Sequence, residues 1–238
     1  MVLASWFYEP SQDLGGMMVT STATGRKLVL KMSVSLDGFV SGPNGEIDWI
    51  FRTSSDDSKQ WVVDTIRGAG AHMMGSRTYY DMAAFWPFSD TPFAAPMNDI
   101  PKIIFSRGGL KDVTQVHRTT QALADAKADR TDERPGVTPT AAILQSWAEP
   151  TVARGDLAEE ILRLKEQPGH YILAHGGARF AQSLAASGLI DEYRLVIHPV
   201  ALGRGQPLFS GLHSPDALRP ISATPFASGV VAAVYHPA

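Results

Sequence analysis

Apolar positions along this chain change period several times, and each change marks an element. "KLVLKMSVSL" (27–36) is dense in apolar and β-branched residues. Such a run predicts a strand covered on both faces. "DGFVSGPNGEIDW" (37–49) breaks it with three glycines and a proline and predicts a loop. "DDSKQWVVDTIRGAG" (56–70) has helical period, with Trp61, Val62, Thr65 and Ile66 on one side and Asp56 or Ser58 as cap. "AHMMG" (71–75) predicts a short strand, "SRTYYDMAAFW" (76–86) a helix stopped by Pro87, and "PKIIFSR" (101–107) another strand.

From 113 to about 150 the chain is polar and rich in small residues, which predicts an insertion, partly helical or mobile. The signal then returns. "GDLAEEILRLKEQPG" (155–169) predicts a helix with Asp156 as N-cap and Leu157, Ile161 and Leu164 as its apolar stripe. Strand "HYILA" (170–174), a Gly-Gly turn and helix "ARFAQSLAAS" (178–187) follow, with Gly188 at the C-cap. "IDEYRLVIHPVAL" (190–202) predicts a strand, and 218–237 a hairpin around Ser228-Gly229. Strands alternating with helices, then an antiparallel end, predict an α/β domain with a mostly parallel sheet. In such a sheet ligands sit at the carboxyl ends of strands, where the glycine-rich turns fall.

Composition narrows the function classes. At 238 residues the chain can bury a substantial core. A net charge of −3 gives no basic field for nucleic acid or an anionic membrane. Without cysteine there is no disulfide, thiolate metal site or cysteine nucleophile, which fits a reducing compartment. No apolar run reaches membrane-spanning length, and residues 1–26 do not read as a signal peptide. They are expected to form an extension ahead of one domain over 27–238, and the cytoplasm is the default location.

Three strand ends carry candidate chemistry. At Gly176-Gly177 the backbone can approach a ligand closely, and the helix from Ala178 offers N–H groups to an anion. A plain tight turn is the competing reading. Gly75, Ser76, Arg77 and Thr78 repeat the pattern with a guanidinium able to grip phosphate and two hydroxyls. Ser106 and Arg107 form the third case. Three such turns suit a ligand with several phosphates, such as a dinucleotide carrying an extra one. The seven histidines show no metal-ligand spacing, so no metal is expected. His175 is expected as a satisfied polar residue at a strand end, Glu192 at an exposed one. Trp49 either covers a pocket mouth or belongs to the core.

The ordered set "KMSVSLDGFVSG", "HMMGSRTYYDM", "PKIIFSR", "ILAHGGARFAQSL" and "GLIDEYRLVIHPVALGRGQPLF" resembles the dihydrofolate reductase superfamily. The closer likeness is to the reductase domain of bacterial riboflavin biosynthesis, the RibD C-terminal domain, and its stand-alone relatives. The likeness spans about 27–236 and implies a dihydrofolate reductase-like fold, its central sheet flanked by helices, with a C-terminal antiparallel hairpin. It implies an NADPH-dependent oxidoreductase that delivers hydride to a small heterocycle, with a ribosylaminopyrimidine as first candidate, and a homodimer to which the "LIDEYRLVIHPV" strand contributes.

Carried over by position, Gly75, Arg77 and Thr78 would hold cofactor phosphates, and Ser106 and Arg107 the adenosine 2′-phosphate. Gly176, Gly177, Ala178 and Arg179 would cradle the pyrophosphate, and Leu36, Asp37 and Gly38 would lie near the nicotinamide. Asp37 is the candidate for polarising substrate or ordering water. Pro199, Gly203 and Gly205 either line the substrate pocket or form a tight β-connection. Arg204 is available for a substrate phosphate or for the surface.

Two departures matter. Folate reductases carry a carboxylate on the first helix, whereas here the count back from Gly75 reaches Lys59, with Asp56 and Asp57 upstream reading as cap and solvent residues. That argues against dihydrofolate as substrate. The zinc deaminase half of the riboflavin enzyme needs paired cysteines, so the chain resembles the reductase half alone. A pterin reductase and a non-catalytic dinucleotide-binding regulator are the alternatives.

Overall fold

The apolar run that opens the expected domain forms β1 (Leu28–Ser35), with Leu28, Val29 and Leu30 almost wholly buried. It lies in the middle of a computed structural model that describes residues 25–110, 137–212 and 214–238. After β1 come β2 (Phe39–Ser41), α1 (Asp48–Thr53), α2 (Asp56–Arg67), β3 (Ala71–Gly75) and α3 (Ser76–Phe85). A 3₁₀ turn (Trp86–Phe88), α4 (Ala94–Asp99) and β4 (Lys102–Phe105) follow. Next are α5 (Ala141–Ala148), β5 (Thr151–Ala153), α6 (Leu157–Lys165), β6 (Ile172–Ala174) and α7 (Ala178–Ser187). β7 (Glu192–His198), β8 (Gln206–Pro207), β9 (Leu218–Pro225) and β10 (Val231–Pro237) complete the described chain.

Eight strands make one sheet in the order β5-β4-β3-β6-β1-β7-β10-β9. The first six are parallel. β10 runs against both β7 and β9, the expected antiparallel end. All six parallel strands therefore deliver their carboxyl ends to one edge. On one face Leu28, Leu30 and Met32 pack with Ile161 and Leu164 of α6 and Ala181 and Leu184 of α7. On the other, Val29, Met74 and Leu173 pack with Ile66 of α2, Tyr79 of α3 and Trp147 of α5. Two covered faces explain the near-continuous apolar strands.

Several details differ from expectation. The loop after β1 contains β2, which pairs with β8 in a separate two-stranded sheet. The cap of α2 is Ser55, in a reciprocal box with Ser58, while Asp56 is the first helical residue. β7 stops at His198 because Pro199 has no N–H to give to a ladder. Of the polar segment expected as an insertion, residues 141–148 are helical. They enter the core through Trp147, 1% exposed, whose indole donates to Asn98 Oδ1 at 2.8 Å. The N-terminal extension up to residue 24 and residues 113–136 of that insertion fall outside the described residues, while Gly25 and Arg26 precede β1.

β7 lies between β1 and β10, paired on both sides. Its backbone ladder is thus fully used within the sheet. Among the described residues no helix is long and apolar enough to cross a membrane.

Candidate functional site

The sheet order brings the ends of β4, β3, β6 and β1 together, and the predicted turns with them. The turns after β3 and β6 abut. A methyl group placed on Gly177 would sit 2.6 Å from Thr78 Oγ1, and one on Gly75 would sit 3.6 Å from Phe180 Cβ. Gly75, Ser76, Arg77 and Thr78 are thus neighbours of Gly176, Gly177, Ala178 and Arg179. Gly176 lies against Met32, whose Cε would be 2.9 Å from an added Cβ.

Helix caps set this corner apart. Five described helices have eight or more residues. Three are closed by side chains: α2 by its serine box, α5 by Thr140 and α6 by Asp156, which accepts from Ala158 and Glu159 N–H as expected. The two without a side-chain cap are α3 and α7, which begin at Gly75 and Gly177. Their first-turn N–H groups have no side-chain acceptor, and with the positive dipole ends they face the strand edge, an arrangement whose chemistry suits an anion. Arg77 and Arg179 are exposed beside them.

Beyond β4, Ser106 Oγ donates to the Gly109 carbonyl at 2.5 Å, so its hydroxyl shapes the turn that presents exposed Arg107. Arg154, which follows β5, adds a cation that the sequence pattern misses. Its guanidinium lies 3.4 Å from where a Cβ on Gly109 would be. The only signal is a three-residue strand, too short to show a period.

At the end of β1, Asp37 has a definite task. Its carboxylate accepts from Ser35 Oγ at 2.6 Å, Leu202 N–H at 3.1 Å and Gly203 N–H at 2.7 Å. Ser35 and the Gly203 amide lead in holding its pKa down, to about 2. Such a group stays ionised and has no proton to give near neutrality. Asp37 therefore pins the 202–203 turn. Gly38 has φ +84 and donates to the Ser35 carbonyl, and Leu36, 71% exposed, donates its N–H to the Val200 carbonyl. Gly205 presses on β2, since an added Cβ would fall 2.2 Å from the Ser41 carbonyl oxygen. Pro199 is exposed and faces the Gly229 turn. Gly203 and Gly205 thus belong to a tight connection that borders the strand ends.

A second polar group was not expected. Lys31, Ser33 and Ser35 share the face of β1 that carries Val29, and Lys31 is level with Arg194, Ser35 with His198. Lys31 is partly exposed, and burial pushes its ammonium down to about 8. It acts on His198, which burial and then Lys31 hold at about 4. It also acts on His175, which burial, then His72, hold well below the usual range.

His175 is satisfied as expected, its Nε2 2.8 Å from His72 Nδ1, while His72 Nε2 donates to the Pro96 carbonyl at 3.0 Å. Trp49 is 7% exposed and donates to the Glu46 carbonyl, which makes it a core residue. Glu192 corrects its expected exposure. It is 9% exposed and bound to Arg194 at 2.6 Å and His236 at 3.1 Å. It borders an open depression of about 360 Å³ toward the amino end of β7, away from the glycine turns. Asp56 pairs loosely with Lys59, while Asp57 accepts from Ser55 Oγ and from Ala227 N–H in the turn between β9 and β10, which lies at the carboxyl end of β7. Among the described residues no three acidic or histidine side chains could share a metal.

The model of one protein family, the RibD C-terminal domain, matches residues 26–232. The chain belongs to that family. The uncharacterized protein YyaP of Bacillus subtilis is 28% identical over 218 residues, covering 92% of this chain and 98% of its own. YwjB of the same organism is 26% identical over 199 residues, 82% of this chain and 88% of its own. A provisionally named riboflavin biosynthesis protein of Shewanella sp. PV-4 superposes with a TM-score of 0.60 at 19% identity, over 89% of this chain and 99% of its own. The bifunctional diaminohydroxyphosphoribosylaminopyrimidine deaminase/5-amino-6-(5-phosphoribosylamino)uracil reductase of Thermotoga maritima gives 0.57 at 18% identity, over 90% of this chain and 57% of its own. At such identities the likeness shows the fold, which is dihydrofolate reductase-like.

Proposed function

We propose that this protein is an NADPH-dependent reductase of the riboflavin-biosynthesis type, acting on a small heterocycle or a carbonyl or imine carbon. The observation that carries the reading is the pair of uncapped helix N-termini at Gly75 and Gly177, abutting at one sheet edge and flanked by arginines. Backbone N–H groups and positive dipole ends favour a pyrophosphate there. Residues 75–78 and 176–179 would hold it, with Arg107 and Arg154 for the adenosine 2′-phosphate. Bound NADPH supplies the hydride.

The chain's own part is orientation and a proton. Leu36 and Gly38 stand at the end of β1, and Asp37 fixes the turn facing them. Reduction of a C=N or C=O bond places hydride on carbon and needs one proton on the heteroatom. Lys31, an ammonium near pH 7 with a lowered pKa, is the group suited to give it and to regain it from water. That proton source favours the catalytic reading over a silent dinucleotide-binding protein. A ribosylaminopyrimidine is the first substrate to screen, with Arg204 available to its phosphate. A cytoplasmic homodimer remains part of the proposal, and sedimentation velocity reads its oligomeric state.

The test is a parallel titration of NADPH and NADH followed by tryptophan quenching. NADPH is expected to bind more tightly, and Arg107→Ala to remove the preference. Binding of neither nucleotide refutes the reading.

A further inference from the structure

One buried polar atom near the strand ends has no use in the chemistry above. His198 is 1% exposed, and among the described residues its Nε2 has no hydrogen-bond partner. The other ring nitrogen decides where the proton is. Thr53 Oγ1 lies 2.7 Å from Nδ1 and 2.8 Å from the Trp49 carbonyl oxygen one helical turn back. A hydroxyl has a single proton. Given to the carbonyl, it leaves Oγ1 to accept an Nδ1–H, and both contacts are hydrogen bonds. Given to Nδ1, it leaves the carbonyl contact without a proton and puts an Nε2–H in the field of the Lys31 ammonium. The first arrangement has one more hydrogen bond and the better electrostatics. His198 is therefore the Nδ1–H tautomer, and Nε2 is a bare lone pair.

A buried acceptor without a donor is unfavourable, and structures rarely keep one without a reason. The imidazole cannot solve the problem by taking up a proton, because burial and Lys31 both oppose the charge. Nor does the surrounding protein donate: Thr53 is committed to Nδ1, and Trp49 meets the ring edge-on at 5.3 Å while its indole N–H points to Glu46. What remains is a donor from outside. His198 ends β7 level with Ser35, next to the residues proposed to face the reducible ligand.

We propose that His198 Nε2 is a specificity-determining acceptor, which receives an N–H or O–H of the reducible ligand while Lys31 faces the ligand's own acceptor. The site then selects ligands that carry a donor beside an acceptor. This inference rests on the reductase reading of the strand-end groove. Nε2 is closed to solvent, so the ligand reaches it by displacing part of a cover that includes Trp49.

The test uses the full chain, labelled with ¹⁵N-histidine and saturated with NADPH. The probes are uracil and 1,3-dimethyluracil, the same ring with and without N–H donors. His198 is expected as the Nδ1–H tautomer with an unbonded Nε2. Uracil shifts that Nε2 signal upfield and binds at least about tenfold more tightly than its dimethyl analogue, the effect of one hydrogen bond in a buried site. His198→Phe brings the ratio near one. His198→Gln, whose amide oxygen reaches toward the Nε2 position, restores part of it. The inference is overturned by an Nε2–H tautomer, by an Nε2 already bonded to Lys31 (a signal that Lys31→Met would move), or by equal binding of both probes or of neither. NADPH affinity is read in the same samples. Loss of cofactor binding overturns the reductase reading and this inference together, whereas bound NADPH with an indifferent Nε2 overturns this inference alone.

Discussion

Replacing Gly177 by alanine tests the abutting turns directly. The residue has φ +94 and ψ 114, a region in which an L side chain is strained. Its carbonyl accepts from the Phe180 and Ala181 N–H groups, both at 3.0 Å, so the turn cannot relax without loosening the start of α7. The backbone strain alone costs about 1–3 kcal/mol. The new methyl also falls 2.6 Å from Thr78 Oγ1, and making room for it costs about 1 kcal/mol more. A total near 3 kcal/mol lowers the melting temperature by roughly 6–12 °C for a chain of this size.

The second half of the cycle separates the two contributions. Thr78→Ala removes Oγ1, while Thr78 Cβ is 3.9 Å from the added methyl and no obstacle. The double variant is therefore expected to recover about 1 kcal/mol of the loss and leave the backbone share. Urea unfolding of the parent, both single variants and the double variant measures this. NADPH titration of the same proteins reads the function, with affinity expected to fall at least about tenfold in Gly177→Ala because the amide cradle is displaced. A fully stable Gly177→Ala protein refutes the geometry. A destabilised protein with unchanged NADPH affinity leaves the turn standing and refutes its role as a phosphate cradle.

Three further outcomes are expected. Arg154→Ala weakens NADPH binding by about tenfold and leaves NADH unchanged, as loss of one phosphate-facing guanidinium should; equal loss for both nucleotides would place Arg154 elsewhere. His72 and His198 are held at about 4 in the folded protein, against about 6.5 in the unfolded chain. The unfolded chain therefore takes up these protons first, so the destabilisation is absent above pH 6.5, grows as pH falls and saturates near 4. At pH 5 it amounts to about 2 kcal/mol per histidine. Urea unfolding of the parent and of His72→Gln at pH 7 and 5 checks this, and a pH response identical in the two proteins would contradict it. Asp37→Ala frees the 202–203 turn, so the amides of Leu202 and Gly203 exchange faster with deuterium; unchanged protection would show that the carboxylate does not hold them.

Much of the fold was legible because long elements repeat their period. The stripe of Leu157, Ile161 and Leu164, the cap at Asp156 and the limits of α7 follow from pattern alone. Three short elements outside apolar runs were not legible. β2, β5 and β8 have three residues or fewer, and pairing partners far along the chain decide them. α5 was hidden by its polar neighbourhood, although Trp147 inside it is a core residue.

The candidate site divides along the same line. Turns that follow a strand and open a helix are written in consecutive residues, so Gly75–Thr78 and Gly176–Arg179 could be found without the sheet. Groups assembled across the sheet could not. Lys31, His198 and Arg154 stand on three different strands or strand ends, and their chemistry exists only once β1 pairs with β7 and β5 with β4. One trace of it was present in "KLVLKMSVSL". From Lys31 onward every second residue is polar, while the alternate positions Leu30, Met32 and Val34 remain apolar. A strand buried equally on both faces has no reason to alternate. The alternation therefore says that one face of β1 changes toward its carboxyl end from core to polar wall, and the row of Lys31, Ser33 and Ser35 ends level with the unpaired nitrogen of His198.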